Sequence, residues 1–163
     1  MIRPVGQPGD LGWVVMANGE AYTAEYDWNG KLEAMAARLV ADFADDHDPA
    51  REAGWIAEID GRRAGCVFCV ARDDMTAQLR MLLVEPFARG HGVGRRLVDE
   101  CVDFARRAGY QRMTLFTASP LAAARAIYLA RGFTLTSEEP EDTFGKPMLT
   151  QYYDLDLATT PVG

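Results

Sequence analysis

The sequence predicts a mixed α+β fold, in which about four helices flank a largely antiparallel sheet. Apolar residues recur at helical spacing in some segments and in short alternating or continuous runs in others. The segments follow one another as helix, helix, hairpin, strand, helix, strand, helix and two closing strands. The 163 residues, 48% of them apolar, can bury one sizeable core, so we expect a single domain over residues 1–163.

The first quarter of the chain predicts two helices. PGDLGWVVMANGEAYTAEY has a helical pattern, and Asp10 is its expected N-cap, because an aspartate side chain can accept hydrogen bonds from the first free amides. The second helix is amphipathic, with apolar residues on one side and charged residues on the other. The apolar set is Leu32, Met35, Leu39, Val40 and Phe43, and the charged set is Lys31, Glu33, Arg38 and Asp42.

The middle of the chain predicts three strands. GWIAEIDGRRAGCVFCV contains two apolar runs around Asp60 and Gly61, a dipeptide typical of a hairpin turn that needs positive φ. AQLRMLLVEP predicts the third strand. This strand ends at Pro86, because proline has no backbone amide to donate to a neighbouring strand.

A glycine-rich loop then leads into a helix with one apolar face. The apolar set is Val93, Leu97, Cys101, Phe104 and Ala108, whereas Arg95, Arg96, Asp99, Asp103 and Arg106 lie largely off that face. RMTLFT predicts a strand, and SPLAAARAIYLARG predicts a helix with Ser119 as N-cap, Pro120 in the first turn and Gly132 as its stop. FTLTS and MLTQYYDLDL predict the closing strands, and we expect the terminal ATTPVG to fray.

Charge and composition exclude several classes of protein. The net charge of −7 disfavours general nucleic-acid binding, which depends on neutralising phosphates, and it would suit a cationic substrate. No run of about 18 apolar residues and no signal peptide is present, so we expect a soluble, cytoplasmic protein with no membrane partner.

The three cysteines are expected to be reduced packing residues. Cys66 and Cys69 form a C-x-x-C pair, but strand geometry would send their side chains to opposite faces of the sheet. With Cys101 they make an odd set, and the chain has only two histidines to complete a zinc site. We therefore expect neither a disulfide framework nor a metal.

The loop ARGHGVGRRLV predicts an anion site. A strand that ends, a glycine-rich turn and a helix N-terminus direct free amides and the positive end of the helix dipole at one point. Gly90, Gly92 and Gly94 lack the Cβ atoms that would block a diphosphate, and Arg89 and Arg95 can add charge-assisted contacts. The dinucleotide motif fails, because arginine stands where its third glycine is needed, and a Walker motif fails because no Gly-Lys-Ser/Thr is present.

Two motifs, in the expected order, resemble those of GNAT acetyltransferases. LLVEPFARGHGVGRRLV resembles the cofactor motif R/Q-x-x-G-x-G/A, carried here by Arg89, Gly92 and Gly94. ARAIYLARGF resembles the signature A-x-x-[LI]-Y-x-x-x-G-F, whose matching residues are Ala124, Ile127, Tyr128, Gly132 and Phe133. FARRAGY, FTLTSEEPEDTFG and LDL resemble the acetyltransferase half of bacterial proteins that fuse a MarR-type DNA-binding domain to a GNAT domain. The resemblance covers nearly the whole chain and implies the GNAT fold.

The resemblance implies acetyl-CoA as cosubstrate and no metal. The pyrophosphate would bind the 89–95 loop, and the pantetheine arm would run beside MLLV as if it were another strand, held by backbone groups of Leu83 and Val84. An amide there would face the thioester oxygen and stabilise the negative charge that develops on it. The implied cofactor contacts are Leu83, Val84, Arg89, Gly90, His91, Gly92, Val93, Gly94, Arg95 and Tyr128.

The same resemblance implies catalytic roles. Tyr128, whose phenol has an ordinary pKa of about 10, would be the general acid that protonates the departing thiolate. The base is left open among Glu25, Glu85 and ordered water. Leu121 stands where relatives often carry asparagine in contact with the cofactor, and Ser119 or Thr117 could partly replace that contact.

The predicted function is therefore an N-acetyltransferase that acts on the amine of a small metabolite or amino-acid-like acceptor. A peptide or protein amine and a homodimer are left open. The alternative is a non-catalytic acyl-CoA-binding sensor or regulatory domain. Tyr22, Tyr26 and Trp28 are either core residues or a platform for a cationic or ring-bearing acceptor.

Overall fold

Seven strands form one sheet in the computed structural model, which describes residues 1–158. The strands are β1 (Ile2–Pro4), β2 (Ala53–Ile59), β3 (Arg62–Ala71), β4 (Thr76–Val84), β5 (Arg112–Ala118), β6 (Thr134–Glu141) and β7 (Met148–Asp156). The helices are α1 (Asp10–Tyr26), α2 (Lys31–Asp46), α3 (Val93–Arg107) and α4 (Ala122–Arg131). The spatial order is β1-β2-β3-β4-β5-β7-β6, and every neighbouring pair is antiparallel except β4 and β5. The predicted class, α+β with a mostly antiparallel sheet, is confirmed.

The helices cover both faces of the sheet. Apolar residues of α1 and α2 pack on one face, against side chains such as Ile56, Cys66 and Phe68. Apolar residues of α3 pack on the other face, against Val67 and Cys69 among others. Cys66 and Cys69 therefore point to opposite faces, as predicted from the period of two in a strand.

The Asp60-Gly61 hairpin is confirmed. These two residues join β2 to β3 and have φ values of 51° and 77°. Positive φ at both central positions matches the right-handed twist of the two strands, and glycine adopts it without steric cost.

The strands β4 and β5 separate soon after they meet. Only Thr76–Gln78 of β4 pair with Arg112–Thr114 of β5, in the parallel direction that the α3 crossover requires. Further along, the pairing of β3 with β4 shifts register and Met81 has a φ of 57°, as in a β-bulge. Beyond the bulge β4 pairs only with β3, which leaves its other edge free beside a cleft.

Two predicted helix caps are wrong. Gly9, not Asp10, is the N-cap of α1, and the Asp10 carboxylate instead binds backbone and arginine groups outside the helix. Leu121, not Ser119, is the N-cap of α4, and the Ser119 hydroxyl accepts the Leu149 amide of β7. In both cases the side chain binds groups outside the helix, among them Arg63 of β3 for Asp10 and Leu149 of β7 for Ser119.

Other boundaries agree with the sequence pattern or extend it. Gly132 ends α4 in the left-handed region with φ of 105°, as predicted. The edge strand β1 was not predicted, because three residues carry too little periodicity. The buried face of α3 also includes Val98, Val102 and Ala105, whereas the predicted Phe104 and Ala108 are only partly buried. The predicted fraying of ATTPVG concerns residues 159–163, which lie outside the described residues.

Candidate active site

The cleft beside β4 contains two cavities. The first, here called the loop cavity, has a volume of about 590 Å³ and lies between the end of β4, the 89–95 loop and the start of α4. The second, called the aromatic cavity, has a volume of about 600 Å³ and lies between α1, α2, β4, β5 and the β6–β7 connection. Both volumes are in the range of small-molecule sites. Tyr22, Leu82, Leu121 and Ala124 line both cavities, so the two spaces adjoin.

The loop cavity has the chemistry of an anion site. After β4 the chain forms a short 3₁₀ turn at Pro86–Ala88 and reaches Gly92, the N-cap of α3, which has a φ of 73°. The backbone amides from Gly90 to Arg95 have no hydrogen-bond acceptor within residues 1–158. Free amides and the positive end of the α3 dipole therefore meet at this cavity.

Most of the predicted cofactor contacts lie together here. The lining includes Leu83, Val84, Arg89, Gly90, Gly92, Val93, Gly94 and Arg95. His91 belongs to the same loop but does not line the cavity. Tyr128 lines the aromatic cavity instead.

The three glycines of the loop have two different reasons to be glycine. Gly90 and Gly92 have positive φ, the conformation that favours glycine, and an added Cβ would meet nothing closer than a flexible arginine 4.0 Å from Gly92. The predicted access of a diphosphate to their amides stays a prediction. Gly94 lies inside α3, where a Cβ would come within 2.8 Å of Ile127 Cδ1 and 3.3 Å of Val84 Cγ2. Close packing of α3 against α4 and β4 therefore explains the third glycine.

Glu25 and Arg89, which the sequence assigned to different roles, form an ion pair with each other. The hydrogen bond that Arg89 donates to the Glu25 carboxylate is the main cause that raises the pKa of the Arg89 guanidinium. Both residues line the loop cavity. The carboxylate predicted as a possible base is thus beside the anion site and not in the aromatic cavity.

The backbone groups of Leu83 and Val84 point to opposite edges of β4, and only those of Val84 face the cleft. The Glu85 amide donates to the carbonyl of Ala64, a residue of β3, at 2.8 Å. Because successive residues of a strand direct their backbone groups to alternate edges, Leu82 and Val84 present theirs to the cleft, and Leu83 faces β3. The sequence did not single out Leu82 as a residue with cleft-facing backbone groups, since this alternation depends on pairing with β3.

Stacked aromatic rings form one wall of the aromatic cavity. Trp28 stacks on Tyr22 at 5.1 Å and on Phe144 at 4.9 Å between ring centroids. Phe116 and Tyr152 line the same cavity and lie 6.4 Å apart. Tyr22, Tyr26 and Trp28 therefore pack together, and each also lines a cavity: Tyr22 and Trp28 the aromatic cavity, Tyr22 and Tyr26 the loop cavity. Their use as a platform for the acceptor stays a prediction.

The charged groups of the aromatic cavity are mostly cationic. Lys31, Arg38 and Arg80 line it, with Glu141 as its one carboxylate among the lining residues described. The side chain and amide of Thr143 both donate to Glu141 and hold the pKa of that carboxyl below its usual range. Arg80 was visible in the sequence as a lone charge within the apolar run of β4, the signal that could have identified it.

Tyr128 is one of the residues that line the aromatic cavity. Its ring is buried, 4% exposed, and packs edge to face on Phe133 at 5.8 Å. Burial raises the pKa of its hydroxyl above the ordinary value, with a smaller contribution from Tyr22. The hydroxyl has no hydrogen-bond partner in the described part of the chain, so it is a protonated donor available to a molecule in the cavity.

The remaining candidates lie outside the cavities or are engaged elsewhere. Glu85 lines neither cavity, and desolvation raises its pKa. Ser119 is held by β7 and by Arg125, whereas Thr117 lines the aromatic cavity. Neither residue lines the loop cavity, and their replacement of the asparagine contact made in relatives stays a prediction.

The three cysteines are free, buried packing residues, as the sequence predicts. All three cysteines are buried and free, and burial raises the pKa of Cys66 to about 12. Within residues 1–158 no group of three or more histidine, cysteine, aspartate or glutamate side chains could hold a metal ion. No helix in the described range has the length and apolarity to cross a membrane.

Comparison with known sequences gives a consistent result. The acetyltransferase (GNAT) family profile matches residues 16–133. Mycothiol acetyltransferase of Beutenbergia cavernae is 35% identical over 82 residues, which are 49% of this chain and 28% of that protein. N-acetylaspartate synthetase of Danio rerio is 30% identical over 127 residues, which are 74% of this chain and 45% of that protein. The chain thus spans less than half the length of these two relatives.

Solved structures share the fold. A Salmonella typhimurium protein solved with its cofactor acetyl-CoA has a TM-score of 0.76 and 22% identity, covering 100% of this chain and 96% of the other. The ribosomal-protein-S18-alanine N-acetyltransferase of Escherichia coli has a TM-score of 0.72 and 18% identity, covering 100% and 97%. At these identities the likeness establishes the fold.

Proposed function

The chain belongs to the GNAT family of acetyltransferases, and we propose on that premise that it transfers acetyl from acetyl-CoA to the primary amine of a small, amino-acid-like metabolite. One observation carries this proposal: an anion cavity, whose amides have no acceptor within residues 1–158, adjoins a second cavity that contains the protonated Tyr128 hydroxyl, likewise without a partner in that range. Two relatives named as mycothiol acetyltransferase and N-acetylaspartate synthetase support a small acceptor.

The loop cavity fits the phosphate-bearing half of acetyl-CoA. The amides from Gly90 to Arg95 and the Arg95 guanidinium would bind the pyrophosphate, and Arg89 would do so by exchanging its ion pair with Glu25. The cleft-facing backbone groups of Leu82 and Val84 would hold the pantetheine arm as an added strand. Acetyl-CoA supplies the activated acyl group and, on transfer, a thiol leaving group.

Tyr128 provides a proton at its hydroxyl oxygen. Because burial raises its pKa, the phenol stays protonated at all physiological pH values, although it is also a weaker acid than free tyrosine. We assign it to donate a hydrogen bond, and then the proton, to the leaving sulfur, with replacement from solvent. Neither Glu25 nor Glu85 lies in the aromatic cavity, which favours ordered water as the group that removes the amine proton.

A non-catalytic sensor has less support. A domain that only binds acyl-CoA needs the loop cavity, but it has no use for an unpaired hydroxyl in a second cavity of similar size. We further propose that residues 1–163 act as one acetyltransferase domain in the cytoplasm. The resemblance to MarR-fused acetyltransferases and assembly as a homodimer stay predictions.

The experiment that tests this function is turnover of acetyl-CoA with a panel of primary amines, read by thiol release, in wild type and Tyr128→Phe. The variant keeps the ring, and a general acid typically contributes about 10²- to 10⁴-fold, so kcat should fall by about 100-fold or more with little change in fold. Affinity for acetyl-CoA, measured by calorimetry, should change little because its phosphate contacts lie in the other cavity.

Tyr110→Phe is the matched control. Tyr110 is also buried, 3% exposed, but its hydroxyl donates to the Arg51 carbonyl at 2.7 Å, away from both cavities. Its loss should lower stability by about 1 kcal/mol and leave kcat within about twofold of wild type. Equal rates for wild type and Tyr128→Phe would contradict the assigned role, and binding without turnover on any amine would favour the sensor.

A further inference from the structure

Arg80 is a partly buried arginine whose donors are unused. Its guanidinium lies 5.2 Å from the centre of the Phe116 ring and has no hydrogen bond or ion pair to any residue from 1 to 158. Arg3, Arg63 and Arg131, by contrast, each bind a carboxylate. A guanidinium offers five N–H donors in a fork that matches a carboxylate, so Arg80 can bind an anion inside the aromatic cavity.

The cavity around Arg80 has the opposite charge to the whole protein. Lys31 and Arg38 also line it, and neither side chain binds a carboxylate in the described part of the chain. Glu141, hydrogen-bonded by Thr143, is the one negative charge among the described lining residues, so three positive charges face one negative charge. The chain carries a net charge of −7, but this local field repels a cationic acceptor and attracts an anionic one. The expectation of a cationic substrate, drawn from overall charge, therefore does not hold at this cavity.

The aromatic residues that line the cavity favour a ligand that carries a flat, apolar group in addition to its anionic group. Trp28 is held between Tyr22 and Phe144 at interplanar angles of 11° and 15°, and Phe116 and Tyr152 line the same space. Aromatic rings in such a cavity stack on or pack edge to face with a ring of the ligand. A small aliphatic side chain would leave much of this surface without contact.

We propose that the acceptor is an aromatic α-amino acid, whose carboxylate is bound by Arg80 and whose ring packs among these aromatic residues; this rests on the function proposed above. Arg80 lies two residues before Leu82, which lines both cavities, a rise of at most about 7 Å along a strand. A carboxylate held at Arg80 therefore leaves the α-amine within reach of the junction with the loop cavity.

The cationic field also assists the chemistry. With Arg80 paired to the acceptor's carboxylate, Lys31 and Arg38 are two positive charges against the one negative charge of Glu141, and this excess disfavours a bound ammonium and lowers the pKa of the acceptor's amine. A larger share of that amine is then neutral and able to attack, with its proton passed to water. The acceptor amine can therefore be activated in this cavity although its one described lining carboxylate, Glu141, is already hydrogen-bonded to Thr143.

The test compares L-phenylalanine, phenethylamine and L-alanine as acceptors in wild type, Arg80→Gln and Arg107→Gln. Wild type should prefer L-phenylalanine over both others by about 10-fold or more in kcat/KM, since one lacks the carboxylate and the other the ring. Arg80→Gln should lose about 10- to 100-fold on L-phenylalanine and less than about threefold on phenethylamine. Arg107, exposed on the last turn of α3 and outside both cavities, is the control, and its variant should match wild type.

A binding measurement separates this proposal from the proposed function. Trp28 lies in the cavity wall, so L-phenylalanine should change tryptophan fluorescence saturably in wild type with CoA present, and about 10-fold more weakly in Arg80→Gln. Binding without thiol release would reject the acetyl transfer and keep the amino-acid site. Thiol release with phenethylamine equal to that with L-phenylalanine, or no saturable binding of L-phenylalanine, would overturn the carboxylate site.

Discussion

One carboxylate, that of Asp10, joins three separate parts of the chain. It is fully buried and accepts hydrogen bonds from Arg3 of β1 at 2.8 and 2.9 Å, from Arg63 of β3 at 3.0 Å, and from the amides of Gly6 and Gln7. The hydrogen bond from Arg3 is the main cause that holds its pKa far below the ordinary value. Asp10 therefore fixes the start of α1 and the edge strand β1 against the sheet.

Asp10→Asn should destabilise the protein strongly. An amide cannot replace a charge that faces two arginines, and removing one partner of a buried ion pair costs about 3 to 5 kcal/mol. Asp45→Asn, an exposed change on α2, is the control and should cost less than about 0.5 kcal/mol. Urea unfolding at pH 7 measures both, and a change at Asp10 no larger than at Asp45 would show that the cluster is dispensable.

The pH dependence of this contribution follows from the direction of the pKa shift. Because the folded pKa lies below the unfolded value of about 3.9, the stabilisation is complete above that value and is lost as pH falls further. The difference in unfolding free energy between wild type and Asp10→Asn should therefore shrink below pH 4. The pKa of Tyr128 is shifted in the opposite direction, upward. Because it lies above the ordinary value of about 10, any change of activity with pH below about 10 comes from the titration of another group.

At the scale of elements, the loop and α3 could be predicted because their signal is local. Glycines, arginines and an apolar face lie within one short stretch, and only Phe104 and Ala108 were placed too near the core. The aromatic cavity could not be predicted, since α1, α2, β4, β5 and the β6–β7 connection each contribute to it. Its opening depends on the Met81 bulge and the early separation of β4 from β5, which are properties of strand pairing.

Gly92→Val should weaken acetyl-CoA binding at the N-terminus of α3 severely. Valine at φ of 73° costs about 1 to 2 kcal/mol of backbone strain, and its methyl groups would occupy the anion site. Gly109, also at positive φ with open space around it, lies outside both cavities, so Gly109→Val carries the same strain as a control. Calorimetry should show at least about 100-fold weaker acetyl-CoA binding for Gly92→Val alone; equal losses in both variants would mean that strain, and not the site, was responsible.

At the scale of the whole molecule, the cleft divides the sheet into two parts. One part contains β1 to β4 and the other contains β5, β7 and β6, and only three residue pairs of β4 and β5 join them. The helix α3 packs on β3 and β4 from one side and contacts α4 on the other. A ligand that runs along the free edge of β4 would therefore add contacts where the sheet has fewest.

The last prediction follows from this division. Acetyl-CoA at about 100 times its Kd should raise the free energy of unfolding by about 2.7 kcal/mol and the Tm by about 5 to 10 °C. Hydrogen exchange should slow at the amides of Leu82 and Val84 and from Gly90 to Arg95, because these groups lack acceptors in the described chain and gain them on binding. Exchange at the amide of Met75, in the β3–β4 turn at the opposite end of β4 from the loop and outside both cavities, should not change. If acetyl-CoA raised the Tm of Gly92→Val as much as that of wild type, the ligand would be binding elsewhere, and the assignment of the cleft would be wrong.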